Sequence, residues 1–579
     1  MNLNLAQEVI SRLVRLGVSS FCICPGGRSA PFVELLSHSR GLSLFYFFEE
    51  RSATFFALGR AERDKKPSAV LTTSGTAVAE LLPSVIESFY SAVPLVLISS
   101  DRPERQSGKG SPQTLKNTLA LLKDYCTVSQ NVSCLDDLDL KKWNGQGSLH
   151  LNVCFDEPLI DSSFNEERIR SLDFTHSVLQ IPFSPQNKPS PSFSLSRESV
   201  KRSSLKKVSF LKQAFQKKSS LDYFFKTSKK PLLLVGELKD FELSLVKNIL
   251  HDYRNPIYLE ALSNLQGTDF TKGDSQKKGS RQKKGSRQKK GSRQNEPQTM
   301  GLISGEKILL QALKNHEIDS VIRIGAVPRV RFWRDLEKSS VPVLSLSTAP
   351  YHDGLGRDSF NEPLFEQAEN LKRKLLNLRK FGEDLKAWDE SQSKKLEELF
   401  KKYPKSEPAW FLTIKKSLKP HSKIFLGNSS PIRFWDQSLF YQKDKIEIKG
   451  QNGVNGIDGL LSRFLGQCEV GKQNIACLGD LSLLYDMSGF WQSKDRPEWR
   501  VIVINNFGGR IFSRLYSNQA FINAHHLSFE SLAKMWRLSY KLLSDPALFE
   551  WGPAYTLIEV QPSLEETEKF YKAYSSLWL

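Results

Sequence analysis

Short apolar runs, each ending on Gly, Asp, Asn, Ser, Thr or Glu, recur along this chain at helix-length intervals, and no other feature restricts its fold so strongly. Near the N-terminus they are SSFCICPGG, LSLFYFFEER, SAVLTTSGTA and PLVLISSDRP. In the middle come PLLLVG (231–236), PIYLEAL (256–262), SVIRIG (320–325) and VPVLSLS (341–347), and towards the C-terminus KIFLGNSS, KIEIKG, NIACLGD and WRVIVINN. Strands buried on both faces of a parallel sheet are apolar throughout, and the crossover between two of them needs a helix. The pattern therefore predicts an α/β chain of three doubly wound, parallel-sheet domains. The 579 residues accommodate them at roughly 100 to 200 residues each.

Composition breaks place the boundaries. Residues 181–196, IPFSPQNKPSPSFSLS, pile up Pro and Ser as linkers do. We read residues 1–182 as the first domain, 183–204 as a linker, 205–395 as a central α/β domain and 396–579 as the third. The charged, Leu-spaced stretch from Pro363 to Tyr403 reads as helix. An insertion over 272–297 interrupts the central domain. Its core, 276–293, is three copies of QKKGSR, whose six Lys and three Arg supply +9 of the net +19. Such a tract cannot bury enough apolar surface to order itself, so a disordered surface insertion is expected. It has no aromatic residue to stack on bases, so nucleic acid is not expected as a partner.

Other classes are excluded by what the chain lacks. No apolar run approaches the roughly 18 residues of a membrane span. The opening MNLNLAQEVISRLVRLGVSS reads as an amphipathic helix rather than a signal peptide, which predicts a cytoplasmic protein. Seven Cys without metal spacing read as reduced core residues. There is no HExxH, paired CxxC, P-loop or GxSxG, and His525-His526 shows no ligand spacing.

In open parallel sheets, ligands sit beyond the carboxyl ends of the strands. Asp480, ending NIACLGD, stands 26 residues before Asn506, ending WRVIVINN. That interval is one strand-helix-strand unit, and a right-handed crossover brings both ends to one sheet edge. A carboxylate from Asp480, an amide oxygen from Asn506 and the carbonyl of Gly508 could then complete an oxygen site for Mg²⁺, or Mn²⁺ in its place, with a diphosphate supplying further ligands. Gly479, Gly508 and Gly509 allow backbone to approach phosphate.

This arrangement resembles the cofactor motif of thiamine diphosphate enzymes, in which GD and a following N hold Mg²⁺ and the diphosphate. The resemblance implies a glutamate from the first domain facing the aminopyrimidine. Glu50 follows the aromatic run LFYFF, an apolar setting that holds a carboxyl partly protonated. Glu49 is its competitor, and alternation along a strand points the two in opposite directions.

The segments CPGGRSAP, FEERSATFFALG, LTTSGTAVAELLP, ISSDRPE, GNSSPIR, GIDGLLS, GDLSLLYD and NNFGGRIF together resemble the 2-succinyl-5-enolpyruvyl-6-hydroxy-3-cyclohexene-1-carboxylate synthase family of menaquinone biosynthesis. The likeness is dense in 1–120 and 420–515 and faint between. It implies a pyrimidine-binding first domain and a diphosphate-binding third. It also implies a transferase that decarboxylates 2-oxoglutarate on thiamine diphosphate and adds the succinyl carbanion equivalent to isochorismate. Both substrates are anionic, and by motif position Arg28, Arg102 and Arg433 match substrate-binding arginines, with Gln113 a polar contact. Arg331 is the central domain's candidate, with Arg329 two residues away.

Ile457 matches the apolar residue that props the cofactor into its bent shape. Ser429, Asn455 and Ser482 lie where the family approaches the diphosphate or ring, and Thr73, Ser74 and Gly75 on the pyrimidine side. Ile511 and Phe512 would form an apolar wall by the substrate. The family places each cofactor between the first domain of one subunit and the third of another, which implies a homodimer or homotetramer. Three positions depart from the pattern: Gly27 before Arg28, Pro112 before Gln113, and Asn452 where an arginine precedes the glycine. Two alternatives stand beside this reading: another thiamine carboligase of 2-oxo acids, or a polyanion-binding protein on a decayed scaffold of this type. Several strand-end arginines oppose the first, and the joint presence of Glu50, Asp480 and Asn506 opposes the second.

Overall fold

The computed structural model describes residues 2–160, 165, 172–175, 220–266, 301–348, 354–438, 446–493 and 497–578. The 183–204 linker and the 276–293 repeat lie outside the described residues. Three sheets form, and every strand pair in them is parallel. The first comprises β1 (Ser20–Ile23), β2 (Ser43–Tyr46), β3 (Ser68–Thr72), β4 (Leu95–Asp101), β5 (Cys126–Val132) and β6 (Ser148–Cys154), in the order β2-β1-β3-β4-β6-β5. The second comprises β7 (Pro231–Val235), β8 (Ile257–Leu259), β9 (Ser320–Ile324), β10 (Val343–Ser347) and β11 (Phe360–Pro363), in the order β11-β10-β9-β7-β8. The third comprises β12 (Lys423–Leu426), β13 (Glu447–Gly450), β14 (Asn474–Gly479), β15 (Trp499–Ile504), β16 (Ser539–Leu543) and β17 (Thr556–Val560), in the order β13-β12-β14-β15-β17-β16. First and third sheets thus share one strand order. Helices flank all three, so the predicted α/β class of three doubly wound sheets is what the chain forms.

The chain divides into two compact units. One holds 1–188, 419–432 and 447–562, and with them the first and third sheets; the other holds 189–418, 433–446 and 563–579, and with them the second. The opening segment is a helix, Asn2–Arg15, burying Leu3, Leu5, Ala6, Val9, Ile10, Leu13 and Val14 as its periodicity predicts. The stretch from Pro363 differs from a single helix. It breaks into Leu364–Leu376 and Glu383–Lys402, separated where Gly382 takes φ +82°. Only glycine adopts that backbone without strain. Among the described residues no helix is long and apolar enough to cross a membrane.

Within the first unit the core runs between the two sheets. Helix Glu50–Asp64 packs on helix Leu460–Gln467 through Phe55, Phe56, Leu460 and Phe464. They cross at backbone distance: a Cβ on Gly59 would stand 2.1 Å from the Arg463 carbonyl oxygen, and one on Gly466 2.2 Å from that of Phe56. This crossing ties the element that begins with Glu50 to the third sheet.

Candidate active site

On the first sheet, β1, β3 and β4 end on one edge, and after them come Arg28, Thr73-Ser74-Gly75 and Arg102. Arg28 is buried, with Nη1 on Glu157 Oε1 at 2.7 Å and Nη2 donating to the Phe155 carbonyl. Arg102 Nε donates to the Pro112 carbonyl at 3.2 Å. The next residue, Gln113, lies against Gly75, where a Cβ would meet Gln113 Cα at 2.9 Å. Arg102, Gln113 and Gly75 are therefore brought together. Thr73 Oγ1 and Ser74 Oγ are buried with no hydrogen-bond partner among the described residues. Buried hydroxyls without partners are costly, and two on a strand end suit a polar ring that would bond them.

The two glutamates are separated by a helix start rather than by strand alternation, since β2 stops at Tyr46. Glu49 is the N-cap of helix Glu50–Asp64, accepting from the N–H groups of Arg51 and Ser52 at 3.0 Å each. The Ser488 hydroxyl donates to its Oε2 at 2.9 Å. Glu50, the first helical residue, is half-buried, and Thr72 Oγ1 donates to its Oε1 at 3.3 Å. Burial pushes the Glu50 carboxyl above the ordinary glutamate value, and the charges of Glu49 and Glu80 add to the effect against the opposing Thr72 bond.

On the third sheet the β14–β15 crossover brings the ends of both strands together. Asp480 begins helix Asp480–Tyr485 and is buried; its Oδ1 accepts from Leu481 N at 2.7 Å and its Oδ2 from Gly508 N at 2.8 Å. Asn506 is buried next to this point, and Arg510 Nε donates to its carbonyl at 3.2 Å. Asn505 is engaged elsewhere, its amide donating to Leu527 O at 2.9 Å and Glu559 Oε1 at 2.8 Å. Sequence reasoning passed over His525, whose Nε2 lies 3.2 Å from Asp480 Oδ2. Because Leu527 N donates to His525 Nδ1 at 3.2 Å, Nδ1 is the acceptor and the Nε2 proton faces the carboxylate. Burial raises the Asp480 carboxyl, opposed by the Gly508 and Leu481 N–H groups and by His525.

Around this point Ser482 is buried and Gly479 ends β14. Asn428 Nδ2 donates to the Gly456 carbonyl at 2.6 Å, joining the Ser429 turn to the Asn455–Ile457 loop. Ser429 and Asn455 both have left-handed backbones, φ +72° and +60°. Ile511 is half-buried and Phe512 is 41% exposed, on the short turn Arg510–Arg514. The Asp480 carboxylate, the Asn506 amide and the Gly508 carbonyl are hard oxygen donors by chemistry, the kind that Mg²⁺ or Mn²⁺ takes and a thiophilic ion does not.

Arg331 and Arg433 belong to the second unit. Arg331 is 63% exposed on its side chain, with Nε 3.6 Å from Asp335 Oδ1, and its N–H donates to Glu306. Arg433 is exposed, and its charge favours the ionised form of the same Glu306, a carboxyl that burial raises. Glu260 binds the N–H groups of Arg329 and Val330 at 2.6 and 3.1 Å. The Arg329 charge acts on the buried Glu260 and Asp436, which leaves Arg331 as the outward-facing arginine of the pair.

The first and third sheets thus repeat one strand order, with a half-buried acid after a strand of the first and Asp480, Asn506 and Gly508 following two adjacent strands of the third. Residues 3–121 match the family described as thiamine pyrophosphate enzyme, N-terminal TPP binding domain. The chain is 34% identical to the 2-succinyl-5-enolpyruvyl-6-hydroxy-3-cyclohexene-1-carboxylate synthase of Bdellovibrio bacteriovorus, over 100% of this chain and 99% of that one. It is 27% identical to the synthase of the same name from Akkermansia muciniphila over 96% and 95% of the two chains, and 27% to that of Flavobacterium johnsoniae over 93% and 90%. The chain belongs to the 2-succinyl-5-enolpyruvyl-6-hydroxy-3-cyclohexene-1-carboxylate synthase family.

Proposed function

We propose that the protein decarboxylates 2-oxoglutarate and adds the resulting four-carbon unit to isochorismate, forming 2-succinyl-5-enolpyruvyl-6-hydroxy-3-cyclohexene-1-carboxylate. The observation that carries this reading is the meeting of Asp480 Oδ2 with Gly508 N–H and His525 beside Asn506. Asp480, Asn506 and the Gly508 carbonyl would hold Mg²⁺ or Mn²⁺, with Gly479, Ser429 and Ser482 against the diphosphate. When bound, thiamine diphosphate supplies the electron sink that decarboxylation of a 2-oxo acid requires.

Glu50 holds the working proton. Thr72 donates to Oε1 and leaves Oε2 available for proton exchange, and burial raises the carboxyl above the ordinary glutamate value, which favours its protonated form. Thr73, Ser74 and Gly75 receive the pyrimidine, while Asn455 and Ile457 meet the cofactor from the other side. Arg28 and Arg102 bind substrate carboxylates, as guanidinium forks do, and Gln113 adds a neutral donor. Arg433 receives the same role from motif position, and Arg331 is the central domain's candidate for it. Ile511 and Phe512 exclude water beside the reacting carbon. Each cofactor would lie between two subunits of a cytoplasmic homodimer or homotetramer.

Titration calorimetry of thiamine diphosphate with Mg²⁺ on wild type and Asp480→Ala, followed by 2-oxoglutarate consumption with and without isochorismate, tests this reading. It requires Mg²⁺-dependent binding that the variant loses and consumption that isochorismate accelerates. Binding without acceleration would reassign the acceptor, and absence of binding would end the proposal.

A further inference from the structure

Glu87 has no place in the chemistry above, yet it is among the most completely buried charged side chains of the first unit, at 0% exposure on helix Leu82–Ser91. Its carboxylate is saturated by donors from the other sheet's domain. Gly453 N donates to Oε1 at 2.8 Å and Val454 N to Oε2 at 2.7 Å, and Arg463 Nη1 adds a third bond to Oε1 at 2.7 Å. Arg463 is buried as well and turns its other edge to Glu62, with Nε on Oε2 at 3.0 Å and Nη2 on Oε1 at 2.6 Å. Burying such a triad is a poor way to gain stability, because apolar replacements usually do as well. What a buried carboxylate does supply is a fixed acceptor for two successive backbone N–H groups.

Those N–H groups open the loop that carries Asn455 and Ile457. The same loop is held two residues further on, where Asn428 Nδ2 binds the Gly456 carbonyl at 2.6 Å. Asn455 lies between the two anchors in a left-handed backbone, φ +60°, a conformation that Asn reaches more readily than other non-glycine residues but that is still uncommon. Glu62, at the far end of the triad, sits on the helix whose first residue is Glu50. One buried arginine therefore joins the helix of the acid to the anchor of the loop.

We propose that Glu87, with Arg463 as its buried counter-ion, is a positioning residue: it fixes the backbone of Gly453 and Val454 and thereby holds Asn455 and Ile457 in the place where they meet thiamine diphosphate. The inference rests on assigning Asn455 and Ile457 to the cofactor. Glu87→Gln keeps the shape but leaves an amide NH₂ where one backbone N–H needs an acceptor. A hydrogen bond to a charged group contributes about 1.5 to 3 kcal/mol, so its loss corresponds to at least about tenfold.

Hydrogen exchange of residues 451–459 is measured in cofactor-free protein, together with calorimetric binding of thiamine diphosphate and Mg²⁺. The proposal requires exchange in this loop to accelerate about tenfold or more, with the β14 and β15 amides unchanged, and cofactor affinity to fall by a similar factor. A role confined to stability would lower the melting temperature and spare both. If Glu87→Gln does not fold, Glu87→Gln combined with Arg463→Met removes both buried charges and is read the same way. Unchanged exchange in 451–459 overturns the proposal. Faster exchange with unchanged affinity also overturns it, and Asn455→Ala and Ile457→Ala then locate the fault. If they weaken cofactor binding, the positioning role alone is wrong; if they do not, the assignment of the loop to the cofactor is.

Discussion

Asp486 offers a test in which structure sets both sign and size. It is fully buried below the helix that begins with Asp480, where it accepts Ser462 N at Oδ2 (2.7 Å) and the hydroxyls of Ser462 and Ser52 at Oδ1 (2.9 and 3.3 Å). Burial pushes its carboxyl up to about 7, against the pull of the Ser462 bonds and the Arg51 charge. An unfolded aspartate titrates near 4, so the folded chain binds the proton more tightly than the unfolded one. The stability this contributes is fully present below about pH 4 and is lost as pH rises to about 7. A rise of about three pH units, at about 1.4 kcal/mol each, sets an upper bound of about 4 kcal/mol.

Asp486→Asn stays neutral at every pH. Its oxygen can accept from Ser462 N, and its NH₂ can donate to the two hydroxyls. Melting temperatures of cofactor-free wild type and variant should therefore agree near pH 4.5 and diverge with rising pH, the variant being the more stable at pH 8. A variant that melts at or below wild type at pH 8, or a gap that ignores pH, would refute the reasoning. The same carboxylate reaches the cap of the Glu50 helix through Ser52, Ser488 and Glu49, with links of 2.6 and 2.9 Å beyond Ser52.

Three further changes to the chain have expected outcomes. Glu50→Gln should reduce turnover at least about a hundredfold, the usual contribution of a positioned acid or base, with thiamine diphosphate binding retained by calorimetry. Because burial raises the Glu50 carboxyl, the stability it contributes is lost as pH rises past the ordinary glutamate range, so this variant should also gain thermal stability at pH 8 relative to pH 5. Gly59→Ala would drive a methyl to 2.1 Å from the Arg463 carbonyl; a cost of at least about 1 to 3 kcal/mol should appear as a lowered melting temperature. Deleting residues 276–293 should leave turnover of 2-oxoglutarate with isochorismate unchanged, whereas a polyanion-binding function would be lost along with its salt dependence.

Legibility in the sequence followed burial. β1, β3, β4, β7, β9, β14 and β15 each carry an unbroken apolar run of at least three residues or an apolar run broken by one charged residue, because both faces are covered, and they stand out without any alignment. β6 is as deeply buried yet escaped notice, because it carries His150 and Asn152 inward. Their partners lie on neighbouring strands: Ser99 Oγ is 2.9 Å from His150 Nε2 and donates to Asn152 Oδ1 at 2.7 Å, and Asn152 Nδ2 donates to Asn131 Oδ1 at 3.0 Å. β11 ends on Pro363 at a sheet edge, where no apolar run is required.

By itself the sequence determined the fold class and the local half of the site. Parallel strands covered on both faces carry apolar runs, and a 26-residue crossover must bring Asp480 and Asn506 to one edge. Tertiary structure alone decided which of two adjacent glutamates caps a helix and which stays available. It alone put His525 on Asp480 and Asp486 under Ser52, and it alone set Glu87 against Gly453 across 366 residues of chain. The physical reason is that periodicity and spacing encode what lies one crossover away. The partner of a buried charge is chosen by whichever donors the packed helices carry to it, and no local pattern records that choice.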